Sequence, residues 1–330
     1  MVSKTILTAL LLVTILNLAD LPGQDGGCTR RTVPVGVVDR EWNFVQGLSA
    51  ANFRGELRGH DVEILSASID TSPRHIVLLL DASGSMMSPK EGWKAAKSLS
   101  EDLIRYAPPL ASIAQMAFSD NVLDTAAFDQ DRLALLKRLA ALVKVCEQPR
   151  KTRETALFDA ISSGLSALGV SDFGDVIYAV TDGGDNRSQT KPEKLEEELL
   201  RTGVRLFSTL MIYATENGVP SREEFEGGAG FVSMVEASGG NLLRGSFGPT
   251  SGSVPLAYIK AKTTAEKIDL ALHRLYEQMG EFYRLDLRLP ETVDKPTEWK
   301  LEVIDENGRP NHRVEVHYPL RLMPCAKASP

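Results

Sequence analysis

Ile76-Val77-Leu78-Leu79-Leu80-Asp81-Ala82-Ser83-Gly84-Ser85 is the stretch on which the fold turns. Side chains along a strand point alternately to its two faces, so five apolar residues in a row describe a strand that is buried on both. The run then breaks onto one carboxylate and two hydroxyls. In open α/β sheets, ligands gather in the crevice beyond the carboxyl ends of the strands, at the point where the strand order reverses. Asp81, Ser83 and Ser85 are expected there.

Working outward, Ser88-Pro89-Lys90-Glu91 reads as a capping box with proline at the first helical position. Trp93, Ala96, Leu99 and Leu103 mark the apolar face of the helix it opens. Strands are then predicted at 113–118, near Val122, and at 176–180, 204–213 and 242–243. Helices are predicted at 131–145, 156–168, 195–201, 222–237 and 264–280. This alternation predicts an α/β fold: a doubly wound, mostly parallel six-stranded sheet covered by helices on both faces.

Two further segments place oxygen donors just beyond predicted elements. Thr155 lies in Glu154-Thr155-Ala156-Leu157-Phe158-Asp159-Ala160, and Asp182 in Val180-Thr181-Asp182-Gly183-Gly184. Two strand-end aspartates meeting in one crevice repel each other unless a cation sits between them. The set Asp81, Ser83, Ser85, Thr155 and Asp182 is made of hard oxygen donors. It favours Mg²⁺, with Mn²⁺ or Ca²⁺ as alternatives, over zinc or copper. Mg²⁺ rarely sheds all its waters, so one position is expected to stay exchangeable.

Asp81-x-Ser83-x-Ser85, Thr155 in its Thr-Ala-Leu-Phe-Asp-Ala setting, and Asp182 in Thr-Asp-Gly together resemble the metal-ion-dependent adhesion site of von Willebrand factor A (VWA) domains. The resemblance covers about residues 73–280. It implies the sheet order 3-2-1-4-5-6, with an antiparallel edge strand near Val122 and the strands ending at Asp81 and Asp182 as neighbours. It also implies a partner protein whose acidic side chain completes the metal shell. The layout further resembles exported bacterial VWA-containing proteins.

The flanks follow another rule. Val33, Val35 and Val37 alternate, as do Val62 and Ile64, then Tyr283, Leu285, Leu287 and Leu289, then Trp299, Leu301 and Val303, then Val314, Val316 and Tyr318. Period two with polar partners predicts antiparallel strands with one wet face. Residues 28–72 and 281–323 are expected to join into one small β-domain beside the α/β unit at 73–280; two separate hairpins on that unit are the alternative.

At the N-terminus, Lys4 precedes the apolar run 6–18, which is thirteen residues long. That suits a signal peptide over 1–24 and falls short of the ~20 residues a spanning helix needs. The protein is therefore expected to be secreted or extracytoplasmic, in the periplasm or cell envelope. Cys28, after two glycines, offers a lipid-anchor site, although Asp25 stands where such signals want an aliphatic residue. Cys28 and Cys325 lie near the ends of the exported chain and either bridge or, with Cys146, remain thiols. The net charge of −7 supplies no basic footprint for nucleic acid.

Simpler roles compete with the metal reading. Asp81 and Ser85 could cap a helix, and Asp185 and Asn186 could merely form a turn. Arg150, Lys151 and Arg153 either attract an acidic partner or form a solvated loop. His312 and His317 are expected on opposite strand faces, and His75 at the far end of its strand from Ser83, so neither a shared metal nor a Ser-His base emerges. With Gly-x-Ser-x-Gly also absent, a binding module rather than an enzyme is expected. A structural envelope or secretion-assembly component with a stabilising metal, and a metal-dependent hydrolase, are the alternatives.

Overall fold

The two apolar periodicities produce two six-stranded sheets, beside which lies one two-stranded ladder. The computed structural model describes residues 26–88, 90–150, 152, 154–212, 222–246, 260 and 262–325. The expected signal peptide, and Pro89, Lys151 and Arg153, lie outside them. After a single turn α1 (Gly26–Thr29) come β1 (Arg30–Asp39), β2 (Phe53–Leu57) and β3 (His60–Asp70). The α/β unit follows: β4 (His75–Asp81), α2 (Gly84–Met87), α3 (Lys90–Tyr106), β5 (Ser112–Phe118), β6 (Val122–Asp129), α4 (Arg132–Cys146), α5 (Leu157–Leu168) and β7 (Val176–Thr181). It continues through α6 (Pro192–Thr202), β8 (Arg205–Ile212), α7 (Arg222–Ala237), β9 (Leu242–Ser246) and α8 (Thr264–Gly280). The chain closes with β10 (Phe282–Arg288), β11 (Thr297–Glu298), β12 (Lys300–Val303), β13 (Val314–His317) and β14 (Arg321–Leu322).

The α/β sheet runs β6-β5-β4-β7-β8-β9, parallel throughout except for the β5–β6 pair at one edge. In order along the unit this is 3-2-1-4-5-6, with β4 in the middle. The unbroken apolar run of β4 divides by parity. Ile76, Leu78 and Leu80 pack with Trp93, Leu103, Leu135 and Leu275 on the α3–α4–α8 side, while Val77 and Leu79 pack with Ile161, Leu195 and Phe231 on the other. The order reverses between β5 and β7 on either side of β4, which puts the crevice at the end of Asp81.

Both flanks build one antiparallel sheet, β12-β2-β3-β10-β1-β13, rather than separate hairpins. β2 and β10 show the expected alternation of buried and exposed residues. β1 does not: Val33 to Val38 are buried on both faces. Val33, Val35 and Val37 enter the β-core, and the segment after β1 reaches over to the α/β unit. Trp42 joins the α/β core, and the carbonyls of Glu41 and Trp42 accept hydrogen bonds from Arg274 and Gln278 of α8.

The sheets meet at a joint built on two arginines. Arg205, 1% exposed, donates to the carbonyls of Gln278 (3.0 Å), Met279 (2.7 Å) and Gly174 (3.3 Å), satisfying the end of α8. Its guanidinium lies 4.3 Å from the Phe282 ring centroid, and that of Arg74 lies 4.7 Å from it. Arg74 is paired with Asp70 at 2.6 Å. Burial, then the charge of Arg74, pushes Arg205 down to about 9. Both chain crossings between the sheets, 70–75 and 280–282, run through this cluster.

Cys28 and Cys325 form a disulfide with a Cα–Cα distance of 5.7 Å, and Cys146 is a buried thiol. The bridge occupies the sulfur that a lipid anchor at Cys28 would need, and disulfides persist in oxidising, extracytoplasmic compartments. Among the described residues no helix is long and apolar enough to cross a membrane. Alkylation of the unfolded, unreduced chain should label Cys146 alone. Cys28→Ser should cost about 2–5 kcal/mol of stability in denaturant unfolding.

A second consequence concerns pH. His317 lines a crevice of about 210 Å³ with Trp42, Glu236, Asn241, Arg244 and Glu315, and burial pushes its imidazole from 6.5 down to about 4. Glu315, 3.9 Å away, is the nearest opposite charge. The unfolded chain therefore takes up this proton first as pH falls. The contribution of His317 to stability should decline between pH 6.5 and about 4, by at most about 1.4 kcal/mol per pH unit. In urea unfolding, the stability of His317→Gln relative to the wild type should therefore rise as pH falls across that window.

Candidate metal centre

Parallel strands deliver their last residues to one side of the sheet, and β4 and β7 are hydrogen-bonded neighbours. Asp81 therefore ends beside Thr181, whose hydroxyl donates to Asp81 Oδ2 at 2.7 Å. The Ser83 N–H holds Asp81 Oδ1 at 2.8 Å. With both oxygens engaged and the residue 0% exposed, the Asp81 carboxylate is fixed in position. Thr181 carries no motif signal in the sequence beyond its place before Asp182.

The chain turns from Asp81 into the short helix α2, with Ser83 as its N-cap residue. No side-chain capping bond is made there; instead the Ser83 and Ser85 hydroxyls lie 3.2 Å apart. Capping therefore leaves these hydroxyls unaccounted for. Ser88 closes α2 in an extended conformation, and α3 begins at Lys90.

Asp182, 8% exposed, sits at the mouth of β7. Its turn depends on Gly183, at φ +83°, where a Cβ would lie 2.8 Å from Leu210 Cδ1. The Gly183 N–H bonds back to Thr181 Oγ1 at 3.0 Å, and the Gly184 N–H to Asp182 Oδ1 at 3.1 Å.

Thr155, 5% exposed, is carried into the same region by backbone bonds to both neighbouring loops. Its N–H donates to Asn186 Oδ1 at 2.9 Å, and its carbonyl accepts from the N–H groups of Asn186 (3.0 Å) and Arg187 (3.1 Å). The next N–H, of Ala156, donates to the Ser119 carbonyl at 2.7 Å, while the Ala82 N–H donates to the Phe118 carbonyl at 2.8 Å. The end of β5 thus ties the Thr155 loop to the Asp81 loop. Asp185, read in the sequence as a turn former, accepts the Phe158 N–H at 2.9 Å and the Ser188 hydroxyl at 2.6 Å. Asp185 also makes the expected turn, accepting the Ser188 N–H at 3.1 Å, so Asp185 and Asn186 serve as braces between loops besides. Ser119, whose hydroxyl donates to the Glu154 carbonyl at 3.0 Å, is a further brace that motif spacing does not reveal.

The electrostatics follow from this packing. Burial, then the neighbouring charge of Asp182, pushes the Asp81 carboxyl up to about 7, against the pull of the Thr181 and Ser83 bonds. Two enclosed carboxylates with three hydroxyl-bearing residues form an all-oxygen donor set whose like-charge repulsion a hard dication relieves. The residues present therefore fit such an ion. Of the basic cluster, Arg150 is engaged with the Val145 carbonyl. Arg187, outside that cluster, lies 3.5 Å from Glu154 beside Thr155.

An open sheet in the order 3-2-1-4-5-6, with its antiparallel edge and with carboxylates at the ends of two neighbouring strands, is a doubly wound α/β sheet, in the order that the resemblance to von Willebrand factor A domains implies. No family model and no curated protein matches the sequence. Among solved structures the chain is similar to the BatB protein of Bacteroides thetaiotaomicron, at 14% identity and a TM-score of 0.41 over 63% of this chain and 98% of that one. It is similar to a von Willebrand factor type A protein of Catenulispora acidiphila, at 11% identity and a TM-score of 0.39 over 90% and 74%. It is similar also to proximal thread matrix protein 1 of the mussel byssus, solved with a zinc-occupied metal-ion-dependent adhesion site motif, at 15% identity and a TM-score of 0.41 over 67% and 50%.

The raised Asp81 fixes a sign. Its protonated form is favoured in the fold, so in metal-free protein the contribution of Asp81 to stability should fall as pH rises from 3.8 to about 7. Asp182→Asn removes the repelling charge but not the burial, and should weaken that loss without abolishing it. Added Mg²⁺ should raise the melting temperature of the wild type at pH 7.5 and leave that of Asp182→Asn unchanged, as read by calorimetry.

Proposed function

We propose that the chain binds one divalent cation, Mg²⁺ foremost with Mn²⁺ or Ca²⁺ as substitutes, through Asp81, Ser83, Ser85, Thr155 and Asp182. We further propose that it uses the ion to capture an acidic side chain of a protein partner outside the cytoplasm. The observation that carries this reading is the bracing of three loops, far apart in sequence, against one another at the ends of β4 and β7. Each loop contributes an oxygen donor, and the backbone bonds hold the loops in place without consuming the hydroxyls of Ser83 and Ser85 on caps.

The charge balance supports binding over catalysis. Two carboxylates offset a dication, so the centre is close to neutral and keeps an attraction for an incoming carboxylate. When bound, the ion supplies a Lewis-acidic point with an exchangeable position. The protein's part is to hold Asp81 through Thr181 and Ser83, to carry Thr155 on Asn186, and to set the Asp182 turn through Gly183. The loop segments 81–85, 154–156 and 182–188 contain no histidine, cysteine or lysine to serve as a separate base or nucleophile.

The test is a capture experiment with the exported chain as bait in Mg²⁺, in EDTA, and as Asp81→Ala. A partner retained in Mg²⁺ should be lost in the other two arms, and replacing an exposed Asp or Glu of that partner should abolish retention. Equal retention in EDTA would overturn the reading. Mg²⁺-dependent hydrolysis of phosphoester or peptide substrates, lost in Asp81→Ala, would favour the hydrolase alternative instead.

A further inference from the structure

At the opposite pole of the same sheet, the amino ends of β4 and β7 gather a donor set of different chemistry. His75 opens β4, and Asp175 immediately precedes β7, so the parallel pairing that joins Asp81 to Thr181 at one end sets His75 beside Asp175 at the other. Asp175 is 1% exposed and locked by backbone donors: the His75 N–H reaches Oδ1 at 2.9 Å and the Asp172 N–H reaches Oδ2 at 2.8 Å. His75 Nδ1 lies 3.5 Å from Asp175 Oδ2 and 3.8 Å from Asp172 Oδ2, and the three groups offer ligand atoms all within 4.8 Å of one another.

These separations discriminate between two roles. Hydrogen bonds between such atoms close to roughly 2.7–3.2 Å, and neither contact does. Ligand atoms around a tetrahedral ion with bonds of about 2.0–2.1 Å stand about 3.3–3.4 Å apart. Reaching that spacing requires only small movements of the exposed Asp172 and the half-exposed His75 side chains, around an Asp175 that is already immobile. One imidazole nitrogen with two carboxylates is a borderline donor set, suited to Zn²⁺ and its transition-metal neighbours rather than to Mg²⁺. Three protein ligands leave the fourth position to water.

We propose that His75, Asp172 and Asp175 form a zinc-class transition-metal site that staples the 172–175 turn to β4. That turn belongs to the joint between the sheets. Phe173, lodged between two of the ligands, packs 5.8 Å from Phe282 with the Arg284 guanidinium 4.7 Å from its ring, and the Gly174 carbonyl accepts from Arg205. The ion therefore stiffens the contact through which the α/β unit meets the antiparallel sheet. This site is independent of the oxygen-lined centre and stands whether or not that centre binds metal.

The test uses metal-stripped exported chain titrated with Zn²⁺ by calorimetry and with Co²⁺ by visible absorbance, in wild type, His75→Ala, Asp172→Asn and Asp81→Asn. One Zn²⁺ equivalent should weaken at least tenfold in His75→Ala and in Asp172→Asn, and the tetrahedral Co²⁺ bands should vanish. Asp81→Asn should keep both signals. The exposed Asp172 makes its asparagine variant a control for folding, since the backbone N–H that holds Asp175 is retained. Zn²⁺ affinity and stoichiometry unchanged in both His75→Ala and Asp172→Asn, or lost only in Asp81→Asn, would overturn the proposal.

Discussion

A carboxylate removed from water at the tip of a central strand is a standing electrostatic cost, and much of this structure is arranged around it. Asp81 is enclosed because β4 is flanked on both sides and covered on both faces, and the same geometry brings Asp182 up to it. Each carboxylate raises the cost of the other's charge. The hydrogen bonds from Thr181, Ser83 and Gly184 offset part of that cost. An arrangement of this kind is destabilising for a bare protein and well suited to a hard cation.

Rigidity reaches the centre through the backbone. The Thr155 loop hangs on Asn186 and on the Ser119 carbonyl, the Asp81 loop on Phe118, and the Asp182 loop on a glycine that alone tolerates both the positive φ and the proximity of Leu210. These bonds join loops that follow β4, β5, α4 and β7. A change at any one of them displaces donors on the others, so the braces Asp185, Asn186 and Ser119 matter to the centre without being ligand candidates.

The second sheet is coupled to the first through charge as well as packing. Arg205 is buried without a carboxylate in direct contact; the carbonyls at the end of α8, where the helix dipole is negative, and the face of Phe282 take that place. Arg74 repeats the stacking and adds the Asp70 pair. Because α8 ends here and β10 begins two residues later, the end of the α/β unit and the start of the antiparallel sheet share one set of partners.

The apolar run of β4, the strand–helix alternation and the three oxygen-bearing segments are local features. Each is stated by residues within a few positions of one another, and from them the α/β class, the sheet order implied by resemblance and the candidate donors could be read directly. Tertiary structure alone decided the rest. It chose the Cys28–Cys325 bridge over separate thiols, closed both faces of β1, made Asp185 and Asn186 braces between loops as well as turn residues, and placed Arg205 under α8. Each of these depends on what a residue meets from a distant part of the chain. Periodicity records only whether a position avoids water, and never which partner excludes it.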